Sequence, residues 1–296
     1  MTETPTLADY GAKHLPAILA QVSESTATSY EIAWRKRVWP TLGDYPLGEL
    51  SPLVIEDAYF SWDGTRSTKA DARAILSRVL NRAVRDRILW TNPTRQLELP
   101  RQKSQPRDSY ALTDTELVKF FELMPERYHL LFALQAHGGL RFSEASAVRV
   151  GSVEWDKRLL MVNAQLSKHG AKLVPTKSGR PRYVPILPDL VRYFDGVNLD
   201  GDPRTFLTTS PTGKPIHPSN LARELDWRNL RDLIRPGMRW HDLRHHCATT
   251  WLDMGIPAHD VKEFMGHSSL AVTDLYTTAG KNAAARAVHR FESSTV

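Results

Sequence analysis

The sequence predicts a mainly α-helical protein with a small antiparallel β-sheet, an α+β fold divided between two domains. Its 296 residues are more than one average domain contains. Apolar residues recur at helical spacing along most of the chain, whereas three short runs between residues 158 and 186 alternate apolar and polar residues. With 41% hydrophobic residues the chain can bury a core for each domain.

Residues 1–92 predict a domain made of helices alone. Ser51 followed by Pro52 is typical of a helix N-cap with proline in the first turn. The segment 67–90 has its apolar residues on one face and predicts a single long amphipathic helix.

The stretch 93–109 holds three prolines and many polar residues without a sustained period, so we expect an interdomain linker. Thr113 and Glu116 have the spacing of a capping box and predict the first helix of a second domain, residues 110–280. Residues 281–296 predict a helix-prone C-terminal tail.

The second domain combines helices with the sheet. The runs RLLMVNAQ, AKLVPT and RYVPI are separated by polar turns and predict antiparallel hairpins. Helices are expected again from Pro188, with Gly255, Gly266 and Gly280 marking helix C-termini.

Composition excludes several classes of protein. Mean hydropathy is −0.39, and no apolar run approaches the roughly 20 residues of a membrane span. The acidic and polar start differs from a signal peptide, and one cysteine, Cys247, cannot form an internal disulfide. We therefore expect a cytoplasmic protein that has no membrane partner. The formal charge of +6 is compatible with an anionic partner.

The residues that can carry chemistry are cationic or hydroxylic. Motifs for Mg²⁺ carboxylate clusters, zinc helices, P-loops and serine nucleophile elbows are missing from the sequence. What remains suits phosphoryl transfer without a metal or other cofactor, with guanidinium groups on phosphate oxygens and a hydroxyl nucleophile. The candidates are Arg141, Lys177, His241, Arg244, His267 and Tyr276. His241 and Arg244 are three positions apart, so on a helix they would project from one face.

These residues stand in five motifs whose order and spacing resemble the tyrosine recombinases, or phage integrase family. The motifs are GLRFSE, TKSGRPRYVP, HDLRH, GH and a tyrosine, within residues 138–278. The first hundred residues also resemble that family's helical core-binding domain, so the resemblance implies a core-binding domain followed by a catalytic domain.

The resemblance implies a role for each candidate. Arg141 and Arg244 would bind the non-bridging oxygens of the scissile phosphate, and His267 would add a hydrogen bond. Lys177 would protonate the leaving 5′ oxygen, and His241 would assist proton transfer at the nucleophile.

Tyr276 would attack phosphorus and form a 3′-phosphotyrosyl link, which conserves the bond energy so that no ATP is required. Glu144 would support the arginines rather than touch DNA.

Simpler interpretations exist for single residues. His241, His245 and His267 could form a zinc site, but no carboxylate or thiolate stands at a useful spacing. Cys247 is expected in the core, and Lys172 is a rival to Lys177 that fits the family pattern less well.

Two departures from the family pattern touch no catalytic role. His246 stands where the family usually has a small hydroxyl residue, and Thr278 where it often has histidine.

Further basic residues predict contacts with double-stranded DNA. Arg78, Arg82 and Arg85 share the polar face of the 67–90 helix, and Arg101 and Lys103 lie in the linker. Two basic domains on a linker could close around a duplex, and the tail could dock on a neighbouring protomer of a DNA-bound homo-tetramer.

The sequence therefore predicts a site-specific DNA recombinase of a phage or mobile element that acts on attachment sites in the cytoplasm of a bacterium. A directionality factor is a further candidate partner. A Xer-like resolvase is the alternative within the family. A DNA-binding regulator without catalysis and a metal-dependent nuclease are the alternatives from other classes.

Overall fold

The computed structural model describes residues 4–99, 111–167, 172–176 and 179–266. The chain divides into two compact units, residues 1–105 and 106–296, and the division falls inside the predicted linker. Among the helices in these ranges, none combines the length and the hydropathy that a membrane span requires.

The regular elements of the first unit's described part are helices, apart from one isolated β-bridge between Thr6 and Pro46. Ser51 caps its fourth helix by accepting a hydrogen bond from the Val54 N–H at 3.3 Å, as predicted. The apolar faces meet in one buried core. Its elements are α1 (Leu7–Leu19), α2 (Glu24–Ala33), a π-helical turn (Trp34–Val38), α3 (Trp39–Leu42), α4 (Pro52–Ser61) and α5 (Arg66–Arg85).

The long helix α5 ends earlier than predicted. The sequence indicated a helix to Trp90, whereas the structure ends it at Arg85. Arg87 takes a left-handed conformation with φ of 59°, and the N–H groups of Arg87 and Ile88 bond back to Val84 and Ala83. This is a Schellman-type end built without the glycine that usually signals it, which is why the pattern missed it.

The second unit combines helices with two small antiparallel sheets, which confirms the predicted fold class. Its strands are β1 (Val153–Glu154), β2 (Leu159–Val162), β3 (Ala164–Leu166), β4 (Leu173–Pro175) and β5 (Arg182–Pro185). Strands β1, β2 and β5 form one sheet with Leu160 opposite Val184, and β3 pairs with β4.

The helices of the second unit surround one core. Thr113 and Glu116 form the predicted capping box, with distances of 3.2 and 2.9 Å. The helices are α6 (Asp114–Leu123), α7 (His129–Ala136), α8 (Phe142–Ala145), α9 (Pro188–Val191), α10 (Pro218–Glu224), α11 (Trp227–Ile234), α12 (Trp240–Asp253) and α13 (Ala258–Met265).

Two features of this core position the site. Helix α12 packs against α7, and Trp240 at its start stacks on Trp227 with ring centroids 3.6 Å apart. Gly255 and Gly266 end α12 and α13 with φ of 86° and 64°, as their positions predicted. Burying large rings at the start of α12 fixes the turn that carries the HDLRH motif.

Candidate active site

Arg141 lies at the end of a glycine turn and immediately before α8. Gly139 there has φ of 65°, and a Cβ on it would meet Met265 Sδ at 2.5 Å, so a side chain has no room. The Arg141 backbone N–H donates to Glu144 Oε2 at 2.8 Å, and its Nη1 donates to Oε1 at 2.9 Å. The Arg141 side chain is 26% exposed, so part of it remains open to solvent.

Glu144 is the buried centre of the site. Its side chain is 0% exposed, and Arg141, Arg182 and Arg244 all approach its carboxylate. Burial alone would raise the pKa of Glu144, but the hydrogen bonds and charges of these arginines hold the pKa down to about 2. Glu144 is therefore a permanent anion that orients cations.

Helix α12 carries both His241 and Arg244, as the spacing predicted. Its first turn is capped internally, because Asp242 accepts the Arg239 backbone N–H at 3.0 Å and Arg235 Nη2 at 3.1 Å. These contacts fix the start of the helix that presents the two side chains.

Arg244 runs from α12 into the interior and is 1% exposed. It donates to the carbonyl oxygens of Gly139 and Met265, and its Nη1 lies 3.8 Å from Glu144 Oε2. These contacts bring Arg244 beside Arg141, although 103 positions separate them in the sequence.

Arg182 completes the site and had no role in the sequence analysis. It begins β5 and donates to both oxygens of Glu144, at 3.1 and 2.7 Å. Its Nε donates to the Phe264 carbonyl at 2.7 Å. Its place in the TKSGRPRYVP motif was the one signal that could have identified it.

The three arginines share one further partner, the C-terminal end of α13. Arg182 takes the carbonyl of Phe264, Arg244 that of Met265 and Arg141 that of Gly266, the last at 3.2 Å. Carbonyl groups at a helix C-terminus lack intrahelical donors and carry partial negative charge, so cations stabilise this end.

His241 is exposed on α12 beside the arginines, and its ring lies edge-to-face with that of His245, 4.7 Å away. Loss of hydration in this crowded setting, together with the charges of Arg244 and Arg141, lowers the pKa of His241 to about 4. His241 is therefore a neutral base near pH 7, able to accept a proton.

Three predicted catalytic residues, Lys177, His267 and Tyr276, lie outside the described residues. The predicted contacts Arg101 and Lys103, the predicted helix end at Gly280 and the tail 281–296 also lie outside them.

Two of the simpler interpretations, a core position for Cys247 and a metal site, can be compared with the described residues. The thiol of Cys247 is 1% exposed and burial raises its pKa, so it is a core residue. Within the ranges that the structure covers, no three His, Cys, Asp or Glu side chains are grouped to hold a metal ion.

The predicted DNA-contacting arginines of α5 differ in their surroundings. Arg78 and Arg85 are exposed, and the Arg78 guanidinium lies 5.8 Å from the centre of the Tyr30 ring. Arg82 instead pairs with Asp86 at 3.1 Å. A contact with DNA at Arg82 would compete with this pair.

Comparison with known families decides the class of this fold. Residues 111–283 match the sequence profile of the phage integrase family, and this range includes Arg141, Glu144, Arg182 and Arg244. The chain belongs to the phage integrase family. The predicted family is thereby confirmed, and so is the predicted activity of a site-specific DNA recombinase.

Phage integrase relatives match over most of the chain. The integrase of Mycobacterium phage D29 is 27% identical over 266 residues, covering 86% of this chain and 70% of that protein. The tyrosine recombinase XerA of Pyrococcus furiosus is 28% identical over 189 residues, 61% of each chain.

Solved structures share the fold. An integrase of the transposon Tn1549, in complex with transposon right end DNA, superposes with a TM-score of 0.78 at 18% identity, covering 96% of this chain and 99% of that one. A lambda integrase dimer bound to a core site gives 0.72 at 17% identity, covering 92% and 95%.

Proposed function

We propose that this recombinase cuts and rejoins double-stranded DNA at attachment sites through a 3′-phosphotyrosyl intermediate, without metal or ATP. The proposal rests on one arrangement: Arg141 and Arg244 meet at the buried carboxylate of Glu144, and His241 lies one turn from Arg244 on α12.

The arrangement suits a phosphate that gains charge. In the pentacoordinate transition state the non-bridging oxygens become more negative, and two pre-positioned guanidinium groups can neutralise them. Because Glu144 and the α13 carbonyls hold these groups before DNA arrives, little reorganisation remains for the reaction.

The family resemblance supplies the remaining roles. Tyr276 attacks phosphorus, and neutral His241 accepts or relays the proton of its hydroxyl group. Lys177 protonates the 5′ oxygen as it leaves, and His267 donates to a non-bridging oxygen. Religation to a different 5′-hydroxyl group completes the exchange of strands.

We further propose how the whole protein engages DNA. Arg78, Arg82, Arg85, Arg101 and Lys103 contact the phosphate backbone. A homo-tetramer assembles on two attachment sites in the cytoplasm of a bacterial host, and the tail 281–296 docks on a neighbouring protomer. A directionality factor selects integration or excision.

An integrase is favoured over a Xer-like resolvase by coverage. The phage D29 integrase matches over 86% of this chain, whereas XerA matches over 61%. Both alternatives use the same chemistry, so the DNA on which the protein acts distinguishes them.

A covalent trap tests the proposal. The purified protein is incubated with labelled DNA from beside its own gene, in the presence of EDTA, and denatured in SDS. We expect a slow-migrating adduct with wild type and with Tyr183→Phe, a control tyrosine exposed on β5, but none with Tyr276→Phe.

Each result has a definite reading. An adduct only on a chromosomal dimer-resolution sequence would favour the resolvase. Tight binding without an adduct on either DNA would leave a non-catalytic DNA-binding protein. Dependence on a metal ion would point to a nuclease.

A further inference from the structure

The Glu144 carboxylate is saturated by donors from two sides. Its Oε1 accepts Arg141 Nη1 at 2.9 Å and Arg182 Nη1 at 3.1 Å. Its Oε2 accepts the Arg141 backbone N–H at 2.8 Å and Arg182 Nη2 at 2.7 Å. Arg182 thus donates two of these four hydrogen bonds, and among the described residues its guanidinium is the only one that bonds to both oxygens of Glu144.

Arg182 is itself held so that it cannot leave this position. Its side chain is 7% exposed, and its third donor binds the Phe264 carbonyl. A Cβ on Gly266 would lie 3.2 Å from its Cδ, so the chain packs tightly over it. A buried guanidinium with these contacts does not reach DNA itself.

The charges in the cluster explain what Arg182 contributes. Three guanidinium groups face one carboxylate, which leaves two positive charges among these four residues. A phosphodiester carries one negative charge, and the pentacoordinate transition state approaches two. Without Arg182, the carboxylate would offset one of the two remaining arginines.

Loss of Arg182 would also redirect its neighbours. Both Glu144 oxygens would lose a donor, and Arg244 Nη1 lies only 3.8 Å from Oε2. A buried anion attracts the nearest cation strongly because little water screens it. Arg244 would then turn towards Glu144, away from the Gly139 and Met265 carbonyls that orient it.

We propose that Arg182 is a positioning residue for strand cleavage: it neutralises Glu144 and fixes the end of α13, so that Arg141 and Arg244 direct their charge at the scissile phosphate. This inference rests on the proposed roles of Arg141 and Arg244.

The test compares Arg182→Met with wild type in the covalent trap. On a normal phosphodiester we expect the rate of adduct formation to fall about 10²-fold, because the misplaced arginines stabilise the transition state less well. The Kd for the duplex should change little, because duplex affinity is spread over many contacts with the phosphate backbone. With a methylphosphonate at the scissile position, which lacks one negative charge, the loss should shrink to about tenfold or less.

Two further variants separate positioning from folding. Arg182→Met with Glu144→Gln removes both partners of the ion pair and should recover about tenfold of the lost rate, because the buried carboxylate that would draw Arg244 out of position is removed as well. Arg182→Lys keeps the charge without the fork and should be intermediate. Arg204→Met, which removes an arginine side chain that is 84% exposed, is the matched control and should cleave like wild type.

The inference would be overturned if Arg182→Met lost the same factor in rate on both DNA substrates, or if the double variant recovered no rate. The proposed function would still stand in either case if the wild type forms the adduct. Orthovanadate supplies a DNA-free measurement, since its five-coordinate form resembles the transition state. We expect it to raise the Tm of wild type more than that of Arg182→Met. A wild type that forms no adduct and gains no Tm would overturn both proposals.

Discussion

Replacing Glu144 by glutamine tests whether the arginine cluster is held by a buried charge. The substitution keeps the size of the side chain but removes the carboxylate on which Arg141, Arg182 and Arg244 converge. One amide oxygen can still accept a hydrogen bond. The amide NH₂ would face guanidinium donors, so hydrogen-bond donors would meet without acceptors.

The magnitude follows from the burial of the pair. Arg182 makes two charge-assisted hydrogen bonds to Glu144, and such bonds contribute about 1.5–3 kcal/mol each. Breaking a buried ion pair on one side costs about 3–5 kcal/mol. Arg141 is partly exposed and adds less, so we expect Glu144→Gln to destabilise the second unit by about 3–5 kcal/mol at pH 7.

Urea unfolding followed by hydrogen exchange of α12 peptides measures this unit separately from the first, since a two-unit chain does not unfold in one step. Glu154→Gln, which removes the partner of the exposed Lys157, should leave the free energy of unfolding of this unit nearly unchanged, because water screens an exposed pair.

The expected dependence on pH gives a second check. Because the pKa of Glu144 is lowered to about 2, its stabilisation is present above pH 4.5 and is lost as the pH falls towards 2. The difference between wild type and Glu144→Gln should narrow over that window. A Glu144→Gln protein as stable as Glu154→Gln at pH 7 would refute the reasoning.

Three further predictions concern single residues. Gly139→Ala should destabilise the second unit and abolish cleavage, because the new Cβ would lie 2.5 Å from Met265 Sδ. The control Gly213→Ala has φ of 73° and open space around its Cβ, so urea unfolding should show a loss of only about 1–2 kcal/mol from backbone strain. Burial lowers the pKa of His137 to about 4. As the pH falls from 6.5 to 4, the free energy of unfolding of wild type should therefore fall by up to about 3 kcal/mol relative to that of His137→Phe. A difference between the two proteins that does not change with pH would contradict this. Lys177→Ala should slow adduct formation on normal DNA but not on DNA with a bridging 5′ sulfur, because a thiolate leaves without a proton. Lys172→Ala should leave both rates unchanged. Slow adduct formation by Lys172→Ala on normal DNA alone would make Lys172 the proton donor instead of Lys177.

Much of the fold could be predicted because its signals are local. The Ser51 cap, the Thr113–Glu116 capping box and the glycines at 255 and 266 depend on residues a few positions apart, and all take the predicted places. The end of α5 was missed because no local signal marks it: Arg87 adopts the left-handed conformation, and the glycine that usually does so is missing there.

The residue types of the candidate site were also readable from the sequence. Arg141, Glu144, His241 and Arg244 stand in short motifs, and the spacing of His241 and Arg244 already placed them on one helix. By itself the sequence determined the α+β class, the cap positions, the family and the identity of the candidate chemical groups, because each depends on residue type and on short spacing.

Only the tertiary structure decided how these groups act on one another. It brings Arg182 from β5 and the α13 carbonyls to Glu144, although 38 positions separate Glu144 from Arg182 and 120 separate it from Phe264. The lowered pKa values of Glu144 and His241 arise from this convergence. Electrostatic interactions depend on distance in space and on burial, and both exist only after distant segments pack together.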